Sequence, residues 1–460
     1  MLATSTHVTL ANQYLDRLAF GWQRRSQALD SHVLDAAALS AIDRDLLSYS
    51  RALRLIGRTS STVIHERLLE PLTRGELFAI ALHAISIQDQ PIHSACIGLI
   101  RSLPALRAAY VAALEWTTSD GAWWAISEWQ QPTENQTGKS SSLFDVLALS
   151  ACSYHPMILA NLCNTPWWEG IIKDSDNPSE NSDTMCTLMQ LALATPHPGA
   201  VAKAVQFLQS PVAQLRCLAA EVMLWRHTKQ IDTHAAKVAE QHATRVLLEL
   251  STGTVEAKNI ARQASYALAC WNFAEFDTVL TALAAQTEKL DLYLQSLGWS
   301  GNMQRAPDLI AYLGDPVYAR SAGAALSLLT GSLPARDGWQ AQPTESEKAL
   351  IDDRVDASPI IPAAKPYANL PPPDQAGFER WWATNKTHLS SKSSWLAGLP
   401  CTNDNLIVTL KSGKLAWRTL ASRRLHVRLP GGASLSTSAP MHQQRHWITN
   451  CISNSKDRAA

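Results

Sequence analysis

Apolar residues recur along most of this chain at intervals of three and four, the period of an α-helix with one buried face. Over residues 8–29, Val8, Leu10, Ala11, Tyr14, Leu15, Leu18, Ala19 and Trp22 fall on such a stripe. Leu39, Ile42, Leu46, Leu47, Leu53 and Ile56 form a second over 35–56, stopped at Gly57, with Asp43, Arg44 and Asp45 read as its solvated face. Further helices are predicted over 61–70, 73–87, 91–103, 104–116 and 143–163, ended or restarted at Gly, Pro or Asp. Polar loops are predicted over 130–142 and 164–184, the latter interrupted by Trp167-Trp168. Helices of ~10–20 residues at this cadence are what stacked helix pairs produce.

The pattern is plainest over 307–331. Leu309, Ile310 and Leu313 share one helical face and Gly314 ends it. Pro316 suits a first helical turn, where its missing N–H had no partner, and Asp315 suits a cap. In the second helix Ala322, Ala325, Leu326 and Leu329 form a stripe, while Ala319, Gly323 and Ala324 are small enough for another helix to pack close; Gly331 marks the stop. This is one helical-repeat unit of the HEAT kind.

The segment 210–226 has the same form: a polar residue, Pro, Val, an Arg near the first turn, then a small-residue helix. Residues 254–271 lack the Pro but keep the Arg. Arg216, Arg262 and Arg320 stand 46 and 58 residues apart, an irregular version of a ~40–47-residue period, and are read as ties between neighbouring repeats. The pairs are 185–208 with 211–227, 234–250 with 256–271, and 275–295 with 307–331. The fold class expected is all-α: a HEAT-like α-solenoid with a small helical C-terminal unit.

From 332 to 376 prolines interrupt any long helix, and acids there face a few bases, the texture of a linker or strap. Beyond it, helices are expected from Phe378 to Trp395, as a pair over 403–429 stopped at Gly431-Gly432, and near Met441–Ile448. The divisions expected are 1–129, 143–331, 332–376 and 377–460. The last is basic, with twelve cationic side chains against three acids.

The whole chain is neutral, with 40 basic and 40 acidic residues, so net charge argues for neither nucleic acid nor an anionic membrane. No run of ~18 apolar residues exists and the N-terminus lacks the pattern of a signal peptide, which points to the cytoplasm. Eight cysteines are spread singly, none as C-x-x-C, as expected of reduced buried thiols.

Motifs for chemistry fail on spacing. Gly138-Lys139-Ser140 resembles the end of a phosphate loop, but Thr133 stands where the first glycine belongs. His65-Glu66 lacks the second histidine of a zinc protease, since that position is Leu69. His442 and His446, with Cys451 beyond, form too small a set for a metal, and Cys401 has no partner base in sequence. No catalytic, cofactor or metal residue is assigned. Trp381, Trp382 and Trp395 beside Arg380 and Lys386, and the run Arg418, Arg423, Arg424, Arg428, are the candidates for partner contact.

Three stretches carry a family resemblance: FGWQRRSQAL, LSAIDRDLLSYSRALRLIG and GELFAIALHAI near the N-terminus; LIAYLGDPVYARSAGAALSLLTG; and FERWWATNK, WLAGLP, LKSGKLAWRTLASRRLHVRLPGG and SAPMHQQ near the C-terminus. Together they resemble an uncharacterised proteobacterial HEAT-repeat family encoded in type VI secretion clusters. The chain departs from it at Ser394 and Trp395, where a glycine and tyrosine are the family pattern. The resemblance implies a secretion-linked accessory role and supplies no catalytic residues.

The function expected is a non-enzymatic scaffold that binds a protein, an adaptor or chaperone for a type VI effector or spike component. The alternatives are an immunity protein neutralising a cognate toxin, a helical-repeat lyase, and a nucleic-acid binder using the basic C-terminal unit. An immunity protein would be essential only while its toxin is present.

Overall fold

The structure, a computed structural model, describes residues 2–130, 142–163, 165–173, 181–195, 197–227, 234–253, 257–271, 273–342, 367, 370–389, 394–429 and 435–457. Gly138-Lys139-Ser140, Gly431-Gly432 and the middle of the Pro-rich stretch, 343–366, lie outside these residues. The fold is all-α and solenoid-like, as the periodicity predicts. The chain forms two compact units: Met1–Ala243 with Leu429–Ala460, and Thr244–Arg428. The stretch 377–460, read as one C-terminal unit, is therefore divided between them.

The first unit opens with α1 (Leu2–Ala28), α2 (Ala36–Ile56), α3 (Arg58–Arg67), α4 (Arg74–Ile87), α5 (Gln90–Ser102), α6 (Arg107–Trp116) and α7 (Ser119–Gln130). It continues with α8 (Ser142–Tyr154), α9 (Pro156–Leu162), α10 (Pro166–Lys173), α11 (Ser182–Ala194), α12 (Pro198–Phe207) and α13 (Ala213–Val222). Alternate helices form its spine: α1 packs on α4, α4 on α6, α6 on α8, α8 on α11 and α11 on α13. α4 is central, with every residue from Leu77 to Ile85 buried, which an all-round apolar helix requires. Its start is fixed by a reciprocal cap. Glu76 N–H donates to Thr73 Oγ1 at 3.2 Å and Thr73 N–H to Glu76 Oε2 at 2.8 Å.

Two differences from the sequence reading lie in the middle of this unit. The helix expected over 143–163 breaks before Pro156, because a residue preceding proline is pushed out of the helical region; His155 sits at φ −126°, ψ 86°. The loop expected over 164–184 contains α10, whose Trp168 is buried edge-on against His197 at 4.5 Å.

α14 (His234–Thr252) leads into the second unit, which holds α15 (Lys258–Trp271), α16 (Phe273–Ala284), α17 (Leu290–Ser300), α18 (Ala306–Ile310), α19 (Ala319–Thr330) and α20 (Pro334–Asp337). α15 packs on α16 and α17, and α17 on α19. Small residues set that last approach: a Cβ on Gly298 would stand 2.9 Å from Ala325 Cα. The repeat at 307–331 is shorter in helix than predicted, because residues 311–318 form turns and α19 starts at Ala319. Asp315 does cap, its Oδ1 accepting from Val317 N–H at 2.8 Å and Tyr318 N–H at 3.0 Å, but in the turn before the helix.

The described ends of the Pro-rich stretch are packed. Trp339 is fully buried and its Nε1 donates to Ser332 Oγ at 2.7 Å; Gln340 bridges to Pro373. After α21 (Gln375–Asn385) come two two-residue strands, β1 (Trp395–Leu396) and β2 (Leu399–Pro400), joined through Ala397 and Gly398, both at positive φ. Trp395 thus lies in a hairpin rather than in the helix expected to run from Phe378. The hairpin closes on helix ends: Trp395 N–H donates to Gly301 O at 2.9 Å, just past α17, and Ala397 and Gly398 N–H donate to Leu328 O and Leu329 O of α19 at 2.6 and 3.2 Å. α22 (Asn403–Ser412) and α23 (Leu415–Arg428) pair with each other, and α23 also packs on α15. α24 (Met441–Asp457) belongs to the first unit, against α2. It is longer than the short helix expected there.

Among the described residues no single helix is long and apolar enough to cross a membrane. The bent pair Gln90–Ser102 and Pro104–Trp116 meets the length and composition of a broken span. Its Ile92, Cys96, Ile100, Tyr110 and Leu114 are all buried.

Candidate functional site

The basic run of α23 is the first candidate, and the structure takes it apart. Arg418 and Arg424 are each only 1% exposed. Arg418 Nε donates to Leu410 O at 2.7 Å, in the last turn of α22. Arg424 donates through Nη2 to Trp299 O in the last turn of α17, and through Nη1 to Trp395 O at 3.2 Å and Cys401 Sγ at 2.9 Å. The last carbonyls of a helix have no intrahelical partner and carry partial negative charge, so a buried guanidinium there is doubly favoured. These two arginines hold the second unit together and present no charge to a partner. Arg423 is half-buried with its guanidinium 5.0 Å from the centre of the Tyr266 ring. Arg428 is exposed and donates to Cys401 O. Trp395 is buried and packs as core. The set that could grip phosphates is smaller than the sequence count of cations implies.

The three repeat arginines also bond within the protein, Arg216 and Arg320 half-buried and Arg262 exposed. Arg216 Nη1 donates to Ser210 O at 3.0 Å, within its own unit of the pattern. Arg262 Nε reaches Gln295 Oε1 on α17 at 3.0 Å, and its guanidinium stands 5.9 Å from the Trp299 ring centre. Arg320 Nε donates to Leu370 O at 2.9 Å, tying α19 to the Pro-rich stretch.

Trp381 and Trp382 remain at the surface. Both are half-buried on α21, while Arg380, Lys386 and His388 beside them are exposed. Phe378 is fully buried beneath them, 5.4 Å from the Trp381 ring and 6.5 Å from the Trp382 ring, and edge-on to Trp339 at 5.0 Å. Gly377 lets α21 sit this low, since a Cβ there would meet Gly338 O at 2.9 Å and Trp339 Cα at 3.0 Å. Two rigid, amphipathic rings are therefore held from below and open above. Arg380 is 3.8 Å from Asp374, a contact too exposed to fix either side chain.

The sequence reading missed a cluster in the first unit. Asp43, read as part of a solvated face, is buried while Arg44 and Asp45 are exposed. It pairs with buried Arg25 at 2.5 Å, whose guanidinium lies 4.9 Å from the Trp116 ring centre. Glu115 is buried next to them, and its carboxyl pKa is raised, first by burial and against the opposing pull of Arg25. The visible signal was register: Asp43 falls on the Leu39–Leu46–Leu53 face of α2.

His83 and His93 are buried, and burial holds the pKa of each down to about 4; His93 Nε2 is 2.7 Å from Tyr110 Oη. Burial pushes the Cys96 and Cys152 thiols up to about 12, the reverse of an activated nucleophile. Cys401 is half-buried beside Arg424, with Ser394 Oγ 3.7 Å from its sulfur. His442 and His446 are exposed, with His446 next to Asn450, and the Cys451 side chain lies outside the described residues. Among the described residues no group of three or more His, Cys, Asp and Glu side chains converges as a metal site.

No family model and no curated protein matches the chain. Among solved structures, the crystal structure of an engineered protein aligns over 91% of this chain and 100% of its own, at 15% identity and a TM-score of 0.32. Likeness at that level carries no argument about fold or function.

Proposed function

We propose that this protein is a non-enzymatic helical-repeat scaffold that binds another protein through the face of α21. The observation that carries this reading is the pair Trp381 and Trp382, half-exposed over a rigid Phe378–Trp339 base and flanked by exposed Arg380, Lys386 and His388. Tryptophan and arginine are the residues most enriched where truncation weakens protein interfaces, and a pre-organised ring loses little entropy on binding. The flanking Arg380 and Lys386, against the one exposed acid of α21, Glu379, favour a partner with an acidic rim around an apolar pocket. The family resemblance supports a cytoplasmic adaptor or chaperone role for a type VI effector or spike component. Internal use of Arg418 and Arg424 weighs against a nucleic-acid reading.

The test is co-purification from the native host with the full chain and its Trp381→Ala/Trp382→Ala variant. The wild type should retain a partner identifiable by mass spectrometry, and the variant should lose it with an unchanged circular dichroism spectrum. Equal recovery by both would overturn the reading.

A further inference from the structure

The non-helical segment Leu435–Pro440 and the start of α24 meet the first unit as a ligand meets a receptor. Arg25 donates through Nη1 to Ser438 O at 2.7 Å and through Nη2 to Ala439 O at 2.8 Å. Asp43 Oδ2 accepts from Met441 N–H at 2.6 Å. Glu115 Oε1 accepts from the hydroxyls of Ser436 and Ser438, each at 3.1 Å. The Glu115 carbonyl accepts from Gln443 Nε2 at 3.2 Å. Leu435, Ala439 and Met441 are buried alongside. So α1, α2 and α6 contribute one cation and two acids, of which Arg25 and Asp43 also pair with each other across α1 and α2. All three are matched by groups on one short segment: two carbonyls, an N–H, and two hydroxyls two residues apart.

The anchorage is mostly polar. Over residues 435–450 the buried apolar side chains are Leu435, Ala439, Pro440, Met441 and Ile448, whereas His442, Arg445, His446, Thr449 and Asn450 are exposed. Segments with few buried apolar contacts open at the low end of the local-stability range. Once open, the three charged groups would face water, ready to read another segment of the same chemistry.

We propose that Arg25, Asp43 and Glu115 form a peptide-binding cleft for which the chain's own Ser436–Met441 is a built-in competitor. The partner it fits is an extended or turning segment of another protein with the pattern hydroxyl, any residue, hydroxyl, small, Pro, apolar. This proposal concerns residues of the first unit and does not depend on the reading of α21.

A tethered occupant acts at an effective concentration on the order of millimolar, so a free competitor is needed at that level. The probe is a synthetic peptide with the sequence of residues 435–444, carrying an N-terminal photo-crosslinker, added to the full chain. Hydrogen exchange read by mass spectrometry should show residues 441–448 exchanging at least ~10-fold faster than those of α4 without peptide. Saturating peptide should speed them further, and the crosslink should fall within α1, α2 or α6, with a scrambled peptide doing neither. In the full chain, Ser436→Ala/Ser438→Ala weakens only the built-in competitor. It should tighten peptide binding, whereas a purely structural segment predicts no binding in either form. Exchange of 441–448 at the rate of α4, or a peptide without effect on both proteins, or equal crosslinking by the scrambled peptide, would each overturn the proposal.

Discussion

Both units bury arginine, and they satisfy it in opposite ways. In the second, Arg418 and Arg424 meet carbonyl oxygens at helix ends, which stay acceptors at any pH. In the first, Arg25 meets the carboxylate of Asp43 next to a second acid, Glu115, in a helical layer that also buries His83 and His93. A guanidinium held by dipoles makes a fixed joint. One held by a carboxylate makes a joint between two buried ions, and removing either leaves the other uncompensated.

The largest expected break in this contrast comes from acid. His83 and His93 bind protons less readily folded than unfolded, so each contributes stability that is present above about 6.5 and lost as pH falls towards about 4. A shift of that size is worth roughly 3 kcal/mol per histidine. Amide exchange in α4 and α5 should therefore accelerate between these values, and His93→Gln should blunt the effect. An exchange profile flat with pH across that window would show that burial does not hold these two histidines neutral. Next in size is Asp43→Ala, which leaves Arg25 buried without its carboxylate and should cost about 3–5 kcal/mol in urea unfolding. A loss below ~1 kcal/mol would mean that Arg25 swings out to water on truncation of its partner. In the second unit Arg424→Lys keeps the charge but cannot reach Trp299 O, Trp395 O and Cys401 Sγ together; we expect a loss of ~2 kcal/mol, independent of pH. The smallest effect is a gain. Burial raises the Glu115 pKa, so the ionised form opposes folding as pH rises through that raised value. Glu115→Gln keeps an acceptor for the two serines and should stabilise the fold at pH 8, a gain that fades as pH falls and the wild type takes up its proton. A destabilised variant at pH 8 would reverse the assignment.

The helices were legible because each stripe is local: Leu309, Ile310 and Leu313 declare a face without knowing what covers it. The small-residue approach was legible for the same reason, although the glycine that completes it, Gly298, lies on the facing helix. What the sequence hid was the destination of the cations. Arg424 finds its acceptor 125 residues away, and nothing in SRRLHVR distinguishes an inward arginine from an outward one except register with Ala421 and Leu425. The hairpin was hidden too, since two-residue strands carry no period, and Ala397-Gly398 is a weak version of the Asn-Gly signal. Trp381 and Trp382 were legible as a pair at the boundary between core and surface. Their Phe378 support was not.

The hairpin at 395–400 has a bearing on how this chain can change length. An array built of stacked helix pairs could in principle grow by duplicating its final pair, each copy docking where the last one stopped. Here the terminal carbonyls of α19 and the residue closing α17 already receive main-chain donors from Trp395, Ala397 and Gly398. A duplicate inserted after Thr330 would have to evict them and find new donors for both ends.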